Sequence, residues 1–191
     1  MFDYFGVLIS VILGLALTHV LKGLAKLIQG RRQVRPYWVH VVWTLNIVIY
    51  VLGIWWGMFW WKGLHAWNAE WFFFIATYAI ALFMWASMLY PTVFAHGLDC
   101  EAYFFANRRW FFAIQLVVVL LDIPETLEKQ RLHLRPVPEQ YLFVVPALLV
   151  ISLVGLMTDR RPVHAVLAVA WLLILLAYLF LSPLARIVGV G

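Results

Sequence analysis

Apolar residues in this chain fall into six long runs, separated by short turns rich in Lys, Arg and Pro. The runs cover about 4–28, 37–61, 71–94, 103–123, 141–157 and 163–184. A helix needs about 20 mostly apolar residues to cross the bilayer's hydrocarbon core. A lipid-exposed barrel strand would instead alternate apolar and polar positions, and these runs do not alternate. In lipid every backbone N–H and C=O must be paired internally, which a helix does by itself. The pattern therefore predicts an all-α polytopic membrane helix bundle of about six transmembrane helices arranged as three hairpins, forming a single domain. Prolines punctuate it. Pro36 and Pro162 open the second and sixth runs, where a missing N–H costs nothing. Pro124 is expected to close the fourth and Pro183 the sixth, while the fifth run is the shortest and contains Pro146.

Composition supports lipid exposure. Of 191 residues, 65% are hydrophobic and 12% charged, with a mean hydropathy of +0.92. Soluble domains average roughly 45–50% apolar and about 25% charged residues. The excess apolar surface does not fit into one water-soluble core. The start, Met1-Phe2-Asp3-Tyr4, lacks a basic segment, and no small-x-small cleavage site follows, so the first helix is expected to be retained.

A net charge of +5 matters here through its placement rather than its sum, and no nucleic-acid partner is expected. One set of turns carries Lys22, Lys26, Arg31, Arg32, Arg35, Arg108, Arg109, Arg160 and Arg161; the other carries Lys62, Lys129, Arg131, Arg135 and Arg186. Nine against five places the Arg-rich turns in the cytoplasm and both termini outside. Acids, which weigh little in this rule, divide as Asp99, Glu101 and Asp159 inside and Asp3, Glu70, Asp122, Glu125, Glu128 and Glu139 outside.

Candidate chemistry is sparse. Gly6, Ser10, Gly14 and Thr18 recur every fourth residue in the first helix, a row that lets two backbones approach closely. The row suits packing within the chain, a self-association face or a pore wall. His19 lies within the first span, and His40, His96 and His164 sit near the cytoplasmic ends of three others. Imidazoles gathered at one membrane face raise haem or metal ligation, but no pair is spaced to put two ligands on one helix face. Asn46 and Gln115 are polar groups at depth, suited to interhelical hydrogen bonds. No charged residue is expected near the middle of any span, which disfavours a proton-driven carrier. Asp3, Glu70 and Asp122 lie near outer span ends and would form an acidic mouth if they converged. Cys100 is flanked by Asp99 and Glu101, which oppose a thiolate. No nucleophile elbow, P-loop or dinucleotide fingerprint is present.

Eleven tryptophans stand out. Most are expected at the headgroup level, where the ring is apolar and the N–H finds a partner. The pairs Trp55-Trp56 and Trp60-Trp61 face several directions and would suit a lipid, quinone or other hydrophobic-ligand groove. The stretches Leu13-Gly14-Leu15-Ala16-Leu17-Thr18-His19, Arg35-Pro36-Tyr37-Trp38 and Asn107-Arg108-Arg109-Trp110-Phe111-Phe112 resemble those of small bacterial multi-pass membrane proteins of uncharacterised function. That resemblance implies an inner-membrane location and brings no catalytic residues. The leading expectation is an oligomeric channel or transport-type protein for small ions or solutes. The alternatives are an electron-transfer subunit binding haem or quinone and a structural subunit of a larger membrane complex.

Overall fold

The computed structural model describes residues 2–30, 32–64 and 67–181. These form six α-helices and one 3-10 helix: α1 Phe2–Gln29, α2 Trp38–Gly57, the 3-10 helix Met58–Gly63, α3 Ala69–Leu89, α4 Cys100–Arg131, α5 Tyr141–Met157 and α6 Arg161–Leu181. No strand occurs among the described residues; a single bridge pairs Arg35 with Asp99. Five helices are long and apolar enough to cross a membrane. The exception, α5, has 17 residues and rises about 25 Å at 1.5 Å per residue.

Local chemistry sets the boundaries. The Asn68 side chain accepts from Trp71 N at 2.9 Å and the Asp99 side chain from Ala102 N at 3.0 Å, so each caps an otherwise unpaired donor at a helix start. Tyr90 adopts an extended conformation before Pro91, because a proline ring disfavours helical geometry in the preceding residue, and α3 ends there. Two expected ends shift. The second run leaves α geometry at Gly57 and finishes as a 3-10 helix. The fourth runs straight through Pro124 to Arg131, two turns beyond the expected stop. A proline inside a helix removes one hydrogen bond, which neighbouring groups in a packed bundle can offset.

Around the bundle the helices follow the order α1, α3, α4, α5, α6, α2, with α2 also touching α3. α2 and α5 do not pack along one another. The centre is aromatic. Trp43, Trp85 and Trp171 approach each other at 5.8–6.5 Å between ring centroids, and Phe111 and Phe112 stand 5.0 and 5.6 Å from Trp43. Trp43 and Trp85, expected at the headgroup level, are core residues, as is Trp61. Trp38, Trp55, Trp56 and Trp110 do lie on the surface. Close backbone approach is needed at Gly155 and Gly23, where a Cβ would collide with the rings of Phe112 and Tyr90 respectively.

Candidate functional site

The last turns of α4 carry Asp122, Glu125, Thr126 and Lys129, whose spacing of three and four residues puts them on one face. That face points inward. Glu125 and Lys129 form an ion pair one turn apart, and both are buried. Glu125 Oε1 also accepts from Trp61 Nε1 at 2.8 Å, and Lys129 Nζ donates to the Gly57 carbonyl at 2.8 Å. Gly57 is where α2 changes to 3-10 geometry, and helix ends leave carbonyls in need of donors. Lys129 Nζ lies 5.7 Å from the Trp61 ring centroid, adding a cation–π contact.

Asp122 sits one turn deeper in a cradle of phenols. Tyr78 donates to Oδ1 at 3.0 Å and Tyr141 to Oδ2 at 2.9 Å, with the Tyr141 hydroxyl also 3.1 Å from the Asp122 carbonyl. Tyr50 lies 3.4 Å from Tyr78, hydroxyl to hydroxyl. The cluster joins α2, α3, α4 and α5 at the end opposite the Arg-rich turns.

Because α2 and α5 stand apart, a cavity of about 520 Å³ opens between them above α4 and α6. Small-molecule sites span roughly 300–1,000 Å³ and combine apolar walls with a few placed polar groups. Ile49, Ile54, Val144, Val145, Leu148 and Leu175 supply apolar wall, and Asp122, Glu125, Lys129 and Arg135 form the polar end. Leu52, Trp56 and Leu179 line the cavity yet stay 47%, 46% and 48% exposed, so its mouth opens on the flank of the bundle. Gly53 widens that mouth: a Cβ there would meet nothing within 4 Å.

The residues singled out from the sequence lie mostly elsewhere. On α1 the inward stripe is Phe5, Ile9, Leu13, Ala16 and Val20. The small-residue row turns away from it: Ser10 and Thr18 are exposed, and a Cβ at Gly6 or Gly14 would enter open space. Ser10 Oγ accepts from Trp55 Nε1 at 3.1 Å. His19 Nε2 bonds the Tyr90 carbonyl at 3.2 Å. His40 stacks on the Tyr90 ring at 5.3 Å, and His164 donates to the Thr158 carbonyl at 2.9 Å. Phe104 touches both, its ring 5.6 Å from each imidazole. His96 is exposed. Among the described residues no group of three His, Cys, Asp or Glu side chains is placed to hold a metal ion. Asn46 donates to the Ala168 carbonyl at 2.9 Å, tying α2 to α6. Gln115 is fully buried, with both side-chain amide atoms unpaired among the described residues. Of the three acids expected at an outer mouth, Asp122 enters the phenol cradle and Glu70 stays exposed in the first turn of α3. The Asp3 side chain lies outside the described residues, as do Arg31, Pro183 and Arg186.

Glu125, Lys129, Arg135 and the tyrosines were not singled out as site residues from the sequence. Reading Pro124 as a helix end placed Glu125 and Lys129 in a solvated turn. Continuing the 3.6-residue period past it would have aligned them with Asp122. No protein-family model, curated protein or solved structure matches this chain.

Proposed function

We propose that this membrane protein binds an amphiphilic molecule dissolved in the bilayer and serves a transport-type role for it. The tail lies in the groove between α2 and α5, and the head meets the polar end at Asp122, Glu125, Lys129 and Arg135. The observation that carries this reading is a single cavity with apolar walls, a lateral mouth and one polar end built from buried side chains. In this reading α5 makes a sixth crossing, the helices pair as three hairpins across an inner bacterial membrane, and the groove's polar end faces outward with both termini. The Lys and Arg bias between the two sets of turns supports that orientation.

The test is photo-crosslinking of the full-length protein in nanodiscs with a diazirine-bearing fatty alcohol. Saturable labelling of α2 and α5 that is lost in Gly53→Phe is expected. Uniform labelling of every lipid-facing helix, unchanged in Gly53→Phe, would refute it. A quinone belongs to the same class of occupant. Haem held by histidines lacks comparable support, because Phe104 fills the space beside both His40 and His164.

An ion channel draws on a different observation, the open space outside Gly6 and Gly14. The bundle's centre is filled by Trp43, Trp85 and Trp171, so a pore would form between copies along that face of α1. Replacing Gly14 with Leu should then weaken assembly and flux together, and unchanged assembly and flux would remove the channel reading.

A further inference from the structure

Resting on the groove reading above, we infer that the head of the bound amphiphile is an anion, a phosphate or a carboxylate, received by Arg135. At the polar end two carboxylates and two cations balance in formal charge, so bonded partners, not net charge, decide. Asp122 already holds two phenol hydroxyls. Glu125 holds Lys129 and the Trp61 N–H. Lys129 is satisfied by Glu125 and the Gly57 carbonyl. Of the four, only the Arg135 side chain has no bonded partner among the described residues. It lines the cavity and is only 9% exposed, yet among the described residues no carboxylate lies within ion-pair distance of its guanidinium and its buried Nε has no hydrogen-bond partner. An arginine stays protonated in proteins and presents a planar fork matched to phosphate and carboxylate oxygens. A buried guanidinium with donors unpaired is strongly unfavourable, so this position calls for oxygen acceptors such as an anionic head would bring.

The chain delivers Arg135 to this place deliberately. After Arg131, α4 closes with Leu134 N bonding the Lys129 carbonyl at 2.9 Å and His133 N the Gln130 carbonyl at 3.0 Å, with His133 at φ 56°. This is a Schellman closure. It reverses the chain, and Arg135 N reaches back to the same Lys129 carbonyl at 3.3 Å. The guanidinium is thereby set at the polar end of the cavity, beside the walls that would hold a tail.

The experiment is a titration of the purified full-length protein in neutral detergent, followed by native mass spectrometry. The probes are oleate, oleoyl lysophosphatidic acid, oleyl alcohol and inorganic phosphate alone. The wild type should bind both anionic probes more tightly than the alcohol, and the tighter of the two identifies carboxylate or phosphate as the head. Arg135→Gln should weaken the anionic probes at least tenfold and leave the alcohol unchanged, which also shows that the variant is folded. Arg135→Lys should fall between. Gly53→Phe should weaken all three tailed probes. If Arg135→Gln leaves oleate and lysophosphatidic acid unaffected, the anion inference is overturned while the groove reading survives on Gly53→Phe. If inorganic phosphate binds as tightly as the tailed anions and Gly53→Phe changes nothing, the groove reading falls and the Arg135 anion site stands. No binding of any probe removes both.

Discussion

The two ends of the bundle use the same kinds of side chain in opposite surroundings. At the Arg-rich end, Arg35 pairs with Asp99 at 3.9 Å, Arg161 with Glu101 at 2.9 Å and Arg108 with Asp159 at 3.9 Å, and each pair has at least one largely exposed partner. These pairs tie turns together: Arg35 N bonds the Leu98 carbonyl at 2.9 Å, Cys100 N bonds the Arg35 carbonyl at 3.1 Å, and Arg108 reaches the Thr158 carbonyl at 3.1 Å. At the opposite end, Glu125 and Lys129 are 4% and 2% exposed and share a cavity with Arg135. Water screens the first set, so its pairs contribute little individually. The second set is removed from water, where each charge needs a partner or is strongly unfavourable. An end closed by exposed ion pairs and a partly charged cavity open on the flank of the bundle are thus built from one small set of Lys, Arg, Asp and Glu.

That contrast can be broken most sharply at Lys129. Replacing it with Met strands the buried Glu125 carboxylate, and losing one partner of a buried pair costs about 3–5 kcal/mol. Thermal unfolding in detergent should show this, and adding Glu125→Gln should restore much of the loss. A double variant no more stable than Lys129→Met would mean that the pair does not act as a unit. Next in size is Gly155→Ala, which drives a methyl into the Phe112 ring where α5 meets α4. Overpacking of this kind costs about 1–3 kcal/mol, whereas Gly14→Ala, with open space around it, should leave the melting temperature of the single chain unchanged. At the Arg-rich end, Arg161→Gln should cost no more than about 1 kcal/mol, and less at high salt, because exposed pairs are weak and screened. A loss as large as that of Lys129→Met would erase the distinction between the two ends. Opposite in sign is the effect expected for Arg135→Gln without ligand, which removes an unpartnered buried guanidinium and strands no protein partner among the described residues. A raised melting temperature would sharpen the comparison, and a fall as steep as for Lys129→Met would reveal a partner for the guanidinium within the protein.

Much of the architecture was legible in the pattern of residues. The α5 boundaries, Tyr141 and Met157, match the expected run, and the starts of α2 and α3 fall within two residues of expectation. The candidate site was far less legible. Asp122 stands out in the sequence for its place near an outer span end, but its partners Tyr78 and Tyr141 lie 44 and 19 residues away, a separation at which no local period connects them. Pro124 misled for a physical reason: in water it commonly ends a helix, while in a packed apolar bundle the helix continues through it. The histidines share one end of the bundle, but packing gives His40 and His164 to Phe104 rather than to each other.

From the sequence alone came the class of the protein and the approximate extent of its helices, because uninterrupted apolar runs leave the backbone no way to satisfy its own polar groups in lipid other than by forming helices. Only the tertiary structure decided which way each helix turns. A helix that is apolar all round shows no preferred face, so nothing in the order of residues separates Trp43 and Trp171, at the centre, from Trp55 and Trp56, at the surface. The same holds for the cavity. It exists because α2 and α5 do not pack along one another, and it is charged because one helix ran past its proline and carried Glu125 and Lys129 inside.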